Sequence, residues 1–391
     1  MKVAAFLNNI VPYHDARWRE FSHLYPSCHL VEISNRDEFR SLEFTDGGES
    51  TYRRHTLFPG KIKADLGGAK VVRAVEQWLN KEHPDVVVLN GWSFPYNLRA
   101  LAWSQRKGVP CVVCSESNEF DEPRSFLKEF LKRRIVSLCS AGLAGGTPQA
   151  EYLVKLGIPK ERVFLGYDVV DSEFFQIKAS EAKKTEIPDP YFFACARFSK
   201  KKNLPGLIRA YAEYRKGLDA VPPYELVIAG EGEERGDIER TIRELGLGTH
   251  VHLVGSKGYE ELPAFYANAS AFIHASTTEQ WGLVVNEAMA SGLPVLVSNR
   301  CGCAADLVRE GENGWTFDPA DEEKLALLMV KISVDESLRI AMGRKSREII
   351  KAWGPSRFAS GLGSAIQSAC IASKRRSHLL DRLILWLMSH R

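Results

Sequence analysis

Short apolar runs rich in β-branched residues alternate with helix-spaced segments along the first half of the chain, and that alternation leaves few folds open. Residues 2–7, 29–33, 85–90, 109–114, 137–142 and 162–166 read as strands. Residues 64–81, 96–107, 124–136 and 148–156 read as the helices between them. Strands joined through helices pair side by side in one direction, so the reading is α/β with a doubly wound parallel sheet. Residues 178–190 are polar, charged and proline-containing and read as a linker. A second set of elements opens with strands at 191–196 and 225–229. At 391 residues there is room for two such domains, taking roughly 150 residues for each. The expected organisation is a first domain over 1–177, the linker, a second domain over 191–355, and a final segment over 356–391 after the break at Trp353-Gly354-Pro355.

Charge and cysteine usage narrow the functional classes. Fifty-two basic and 49 acidic side chains give a net charge of +3, too balanced for a chain that coats nucleic acid, so no nucleic-acid partner is expected. The eight cysteines are scattered through apolar runs and read as reduced, buried thiols of a cytoplasmic protein. Cys111 and Cys114 sit in a strand, where side chains three apart point to opposite faces, and Cys301-Gly302-Cys303 lacks further ligands nearby, so no metal site is expected. The first residues lack a signal peptide's cleavage site, and no apolar stretch approaches the ~20 residues that span a bilayer. The protein is expected to be soluble or peripheral on the inner face of a membrane.

The densest chemical signal lies in residues 271–299, AFIHASTTEQWGLVVNEAMASGLPVLVSN, which read strand, loop, helix, strand. Glu279 and Glu287 stand eight apart, with Gly282 where the helix should begin. A helix N-terminus offers free N–H groups and a positive dipole end, a seat for a diphosphate where glycine lets it approach the backbone. Glu287 falls just over a turn inside. A carboxylate accepts two hydrogen bonds at once, which suits a ribose diol.

Glu279-Gln-Trp-Gly-Leu-Val-Val-Asn-Glu287, set in E-x-W-G-L-x-x-x-E-A-M-A-x-G-L-P-V, resembles the E-x7-E motif of the retaining, nucleotide-sugar-dependent glycosyltransferases of family 4. Arg197-Phe-Ser-Lys-Lys-Lys202 resembles that family's Arg-x4-Lys element, and Gly230-Glu231-Gly232 its Gly-x-Gly loop. The resemblance implies the GT-B fold: two Rossmann-like domains facing a cleft, with a C-terminal helix crossing back to the first. It implies that Arg197 and Lys202 hold the donor diphosphate and that Glu287 grips the ribose. Gly282 and Leu283 would present backbone N–H groups, Glu279 would contact the donor sugar, and Gly230, Glu231 and Gly255 would line the donor side. No metal and no cofactor is implied, the nucleoside-diphosphate sugar being a co-substrate; Arg197, Lys202 and Glu279 are the catalytic candidates. The implied reaction is transfer of a sugar to an acceptor hydroxyl of a glycan, a lipid-linked acceptor or a small molecule, in polysaccharide or lipid-linked glycan synthesis. Two rivals use the same scaffold: another nucleotide-sugar enzyme of epimerase or phosphorylase type, and a binding protein that keeps the cleft without turnover.

Acceptors are expected on the first domain. Residues 8–15 lack the Gly-Gly pair that the family often carries there. His14 in that loop and Glu116 after the fourth strand are the acceptor-side candidates, with a structural histidine and an exposed carboxylate as the plain alternatives. Asp15 reads as a helix cap and Lys200 and Lys201 as surface. In the helix near Arg124 the set Phe126, Leu127, Phe130, Leu131 and Ile135 reads as a core face, with Lys128, Lys132, Arg133 and Arg134 around it. The tail places Leu379, Leu380, Leu383, Ile384 and Leu387 on one face, flanked by Lys374, Arg375, Arg376, Arg382 and Arg391. That pattern fits an anionic membrane surface and fits packing on the first domain equally well.

Overall fold

The structure, a computed structural model, describes residues 1–36, 51–218, 222–372 and 376–389. It divides into two compact units, the first made of Met1–Glu119, Pro123–Val169 and Pro355–Arg391, the second of Phe120–Glu122 and Val170–Gly354.

The first unit is a seven-stranded sheet in the order β3-β2-β1-β4-β5-β6-β7. The strands are β1 (Val3–Leu7), β2 (Cys28–Glu32), β3 (Arg53–Thr56), β4 (Val86–Asn90), β5 (Cys111–Ser115), β6 (Ala141–Ala144) and β7 (Val163–Leu165), paired in parallel throughout. Between them run α1 (Pro12–Leu24), α2 (Gly68–Glu82), α3 (Pro95–Lys107), α4 (Phe126–Val136) and α5 (Thr147–Lys155). Helices on both faces bury the central strands, which is why β1 and β4 read VAAFL and VVVLN rather than alternating. The order reverses between β1 and β4, so the crevice at their carboxyl ends is where a ligand of such a sheet sits.

The second unit begins with α6 (Ser172–Glu181), whose N-cap Asp171 accepts a hydrogen bond from the Phe174 N–H at 3.0 Å. Its six-stranded sheet holds β8 (Tyr191–Cys195), β9 (Glu225–Ala229), β10 (Val251–Leu253), β11 (Ala271–His274), β12 (Val295–Ser298) and β13 (Gly314–Phe317). They run β10-β9-β8-β11-β12-β13, all parallel. The helices are α7 (Leu204–Lys216), α8 (Arg235–Glu244), α9 (Leu262–Asn268), α10 (Leu283–Ala290), α11 (Ala304–Leu307), α12 (Glu322–Val334) and α13 (Glu336–Ile350). Here the reversal falls between β8 and β11.

The last two helices, α14 (Pro355–Ile371) and α15 (Leu379–Ser389), rejoin the first unit. Phe358 of α14 meets Trp18 and Phe21 of α1, with ring centroids 5.5 and 6.4 Å apart.

Several local expectations are corrected. Strand β3 was not anticipated because its sequence, RRHT, is polar; it lies at the sheet edge, where one neighbour suffices. Residues 137–140 form a turn and the strand starts at Ala141. The long helix expected from 64 is a 3₁₀ turn over Lys63–Asp65 followed, after Gly67, by α2. Asp15 lies inside α1 rather than capping it, and accepts hydrogen bonds from Tyr52 Oη at 2.7 Å and from Arg19.

Two faces also come out differently. In α4, Ile135 is buried and Leu131 partly so, but Phe126, Leu127 and Phe130 are 90%, 64% and 41% exposed. Of the tail set only Ile384 is buried; it docks with Leu385 into the core of the first unit, while Leu379, Leu380, Leu383 and Leu387 face out. Lys374, Arg375 and Arg391 lie outside the described residues. Among the described residues no helix is long and apolar enough to cross a membrane.

One buried pair gives the first unit a pH dependence. His29 Nδ1 and His55 Nε2 lie 3.0 Å apart in stacked rings that meet Trp78 edge-on. Burial, and then the neighbouring His55, push His29 down to about 4 from its ordinary 6.5; burial lowers His55 as well. The folded state therefore disfavours protons that the unfolded chain accepts. Stability from His29 is complete above pH 6.5 and is lost as pH falls toward 4, by up to about 1.4 kcal/mol per pH unit, and the lowered His55 adds a loss of the same sign. Urea denaturation at pH 7 and pH 5 should show this slope, and His29→Phe should flatten it; an equal slope in that variant would assign the acid sensitivity elsewhere.

Candidate functional site

At the reversal point of the second sheet, three segments bring charges together. β11 ends on His274, the loop after β8 carries Lys201 and Lys202, and the loop before α10 carries Glu279. That last loop is held by a short parallel bridge to Cys301, in which the Glu279 N–H donates to Arg300 O at 3.1 Å and Gly302 N–H to Glu279 O at 3.0 Å. With its backbone fixed, the Glu279 carboxylate, only 11% exposed, is contacted by Lys202 Nζ, by Lys201 Nζ at 3.4 Å and by His274 Nε2 at 3.6 Å. Burial alone would raise this carboxyl. The His274 hydrogen bond and the charges of Lys202 and Lys201 outweigh it and hold Glu279 well below the usual carboxylate range. His274 is itself pushed down by burial, with Glu279 opposing and Lys202 adding to the fall, so its ring stays neutral near pH 7. The result is a fixed carboxylate with a surplus of cationic groups beside it.

Gly282 caps α10 in a left-handed conformation, φ +107°. A Cβ there would stand 3.4 Å from His274 Nε2, so the start of α10 is adjacent to the charged cluster. By helix geometry the N–H groups of Leu283 and Val284 have no acceptor within α10.

Glu287 points inward from α10 and is 8% exposed. Its Oε2 accepts a 2.8 Å hydrogen bond from Tyr266 Oη of α9. The Cys195 thiol at the end of β8 is pushed up to about 12, by burial first and then by the Glu287 charge, with Lys202 opposing. Glu287 and Lys202, which itself holds Glu279, therefore both act at the carboxyl end of β8.

The glycine loop forms the adjoining wall. Gly230 N–H donates to Gly255 O at 2.9 Å, Phe198 N–H to Glu231 O at 2.8 Å, and the Glu231 side chain pairs with Arg235. Gly230, at φ +143°, packs so closely on the loop after β8 that a Cβ would fall 1.9 Å from Ala196 O. Its glycine requirement is thus backbone packing. Arg197 is not brought to Glu279: it is half exposed and reaches Glu233 Oε2 at 3.5 Å. Lys201, expected as plain surface, does join Glu279. Tyr266 and His274 were missed as site residues. His274 stands just past the apolar run that Phe272 and Ile273 end, and Tyr266 reaches Glu287 from another element, which no local pattern records.

The acceptor-side candidates gather in the first unit, again at the sheet reversal. His14 lies in the first turn of α1, not in a loop, and is buried. With Arg17, Asn90 and Tyr167 it lines a small cavity at the ends of β1, β4 and β5. Glu116 is half-buried rather than exposed and lies close enough to Asp168 for the two carboxyls to act on each other. Burial, and then Glu116, hold the Asp168 carboxyl well above its usual range, with Arg17 opposing from 3.8 Å. Among the described residues no group of three or more His, Cys, Asp or Glu is placed to hold a metal.

Comparison with known proteins agrees with this geometry. Residues 176–349 match the family described as Glycosyl transferases group 1, and residues 31–166 match the Glycosyl transferase 4-like domain. The lipopolysaccharide core biosynthesis glycosyltransferase LpsE of Rhizobium meliloti is 29% identical over 177 residues, 45% of this chain and 49% of that protein. A GDP-mannose-dependent phosphatidylinositol monomannoside mannosyltransferase of Mycobacterium tuberculosis is 28% identical over 170 residues, 42% of this chain and 43% of that protein. The matched stretches thus span about half the length of these two relatives or less. Among solved structures, HepE of Anabaena in complex with UDP and glucose superposes with a TM-score of 0.72 at 18% identity, covering 94% of this chain and 99% of that one. Sucrose-phosphate synthase of Thermosynechococcus elongatus gives 0.74 at 18% identity, covering 95% and 100%.

Proposed function

Because the chain belongs to the group 1 glycosyl transferases and has the GT-B fold, we propose that it moves a sugar from a nucleoside-diphosphate donor to an acceptor hydroxyl with retention of configuration. The observation that carries the reading is the Glu279, Lys202 and His274 cluster beside the start of α10, at the reversal point of the second sheet.

In this reading the diphosphate takes the N-terminal end of α10, where the Leu283 N–H and the surplus charge of Lys201 and Lys202 face it. Arg197 leaves Glu233 and adds a third cation. Glu287 accepts from the ribose, a carboxylate suiting a diol. Glu279, kept ionised by its neighbours, accepts from hydroxyls of the donor sugar. As the bond from the anomeric carbon to phosphate breaks, charge collects on the departing nucleoside diphosphate, and the lysines are already in place for it. The acceptor oxygen bonds the anomeric carbon from the same face, and its proton passes to a departing phosphate oxygen. The residues thus position and neutralise, with no protein nucleophile required. The acceptor is a glycan or lipid-linked hydroxyl, in keeping with the names of the two relatives, one a glycosyltransferase of lipopolysaccharide core biosynthesis and the other a phosphatidylinositol monomannoside mannosyltransferase.

The test is thermal stability against UDP-, GDP-, ADP- and TDP-sugars, followed by metal-free donor hydrolysis with the ligand that shifts it. Glu287→Gln keeps an acceptor for Tyr266 but removes the charge. It should weaken that donor by about 1.5–3 kcal/mol, roughly 10- to 150-fold in Kd, with the fold intact. Unchanged donor affinity in the folded variant would remove Glu287 from the site. Donor binding without hydrolysis or transfer would favour the binding-protein reading.

A further inference from the structure

The outward surface of the α4 and α15 pair has a composition unlike ordinary protein surface. α15 packs against both α3 and α4, and Asp381 of α15 pairs with Arg134 of α4 at 2.7 Å. Phe130 lies one turn before Arg134 and Leu380 next to Asp381, so the outward rows of the two helices meet at this ion pair. On α4 the exposed residues are Phe126, Leu127, Lys128, Phe130 and Arg133. On α15 they are Leu379, Leu380, Arg382, Leu383, Trp386 and Leu387. Every one is apolar or cationic.

The carboxylates of both helices are turned away. Asp381 is buried, holding Arg134 and accepting from the His378 N–H at 2.9 Å. Glu129 is engaged by Arg124, Lys132 and Tyr152. An apolar surface that served only a protein partner would have no need to exclude acids so completely, whereas one facing lipid phosphates does. Apolar side chains with interspersed cations and an interfacial tryptophan are the pattern of a helix lying in the plane of a bilayer.

We propose that α4 and α15 form a docking surface for an anionic phospholipid membrane. Leu379, Leu383, Trp386 and Leu387 enter the headgroup and acyl boundary together with Phe126 and Leu127, while Lys128, Arg133 and Arg382 meet lipid phosphates. Neither helix crosses: each has 11 residues, roughly 16 Å at ~1.5 Å per residue, against a hydrocarbon core of ~30 Å. The inner face of α15, with Ile384 and Leu385 in the protein core, holds the outer face in place. Binding therefore needs no refolding of the tail. The proposal stands apart from the donor reading, since no donor-side residue takes part.

The experiment is flotation of the full chain with phosphatidylcholine vesicles, with and without phosphatidylglycerol. The chain should float with the anionic vesicles and less so as salt rises. Leu127→Ser with Phe130→Ser, and separately Leu383→Ser with Trp386→Ser, should each weaken binding about tenfold or more at unchanged thermal stability, because each replaces exposed apolar side chains that the lipid would bury. Lys128→Glu with Arg382→Glu should abolish the preference for anionic vesicles. Donor binding should be unaltered in all three, which separates failure of this proposal from failure of the donor reading. No flotation, or equal flotation of every variant, would overturn it. So would self-association that is lost in the serine variants without vesicle binding, which would make a second copy of this chain the occupant.

Discussion

Lys202→Ala lowers the rate of sugar transfer by roughly 10²–10³-fold, the usual effect of removing one preorganised group that meets charge developing in a transition state. Lys202 is the cation held most closely against Glu279, and both are largely buried. The loss should fall on kcat more than on donor affinity, because diphosphate charge grows as the glycosidic bond breaks. A second signature separates this from a structural role. Without Lys202 the Glu279 carboxyl loses a cation that lowers it, and His274 loses a charge that lowers it; both should titrate higher. The acid limb of the pH–rate profile should therefore move up. Lys202→Arg should recover part of the rate and restore that limb. A folded Lys202→Ala protein with an unchanged kcat would exclude the assignment.

Gly230→Ala should cost about 3 kcal/mol or more of stability in the second unit. Two penalties combine: a left-handed φ of +143°, and a Cβ 1.9 Å from the Ala196 carbonyl oxygen, where backbone cannot give way cheaply. Gly236, in α8 with nothing within 4 Å of a Cβ, supplies the contrast. Gly236→Ala should stabilise by about 0.5–1 kcal/mol through helix propensity. Urea denaturation of the two variants side by side reads the difference. Equal stabilities would mean that the loop after β8 moves away freely, and the glycine's role would then be at the ligand.

These contrasts show what local sequence records. The alternation of apolar runs and helical segments was enough for two parallel sheets, because a strand covered on both faces must be apolar throughout. Glu279, Glu287, Arg197 and Lys202 stood out because their spacing is local to a loop or one helix turn. Arg197, an exposed guanidinium on a loop, pairs with the nearby carboxylate of Glu233, a partner that its motif does not name. Tyr266 lies 21 residues before Glu287 and meets it only through packing. Periodicity marked Phe126, Leu127 and Phe130 as one stripe but carries no sign for inside or outside. The sign came from α15, a segment distant in sequence, whose docking on α4 leaves that stripe uncovered.

The interleaving of the two units also sets an order of assembly. The second unit is built almost wholly from one uninterrupted stretch, Val170–Gly354, whereas the first needs Pro355 onward to complete its core. During synthesis Trp18 and Phe21 emerge early and wait for Phe358, the ring that covers them, until the entire second unit has been made. The later unit can thus close first, while the earlier one keeps an apolar seam open to water and to chaperones. A chain cut at Gly354 should yield a stable second unit beside an aggregating first one, and a permuted chain that begins at Pro355 should shorten that wait.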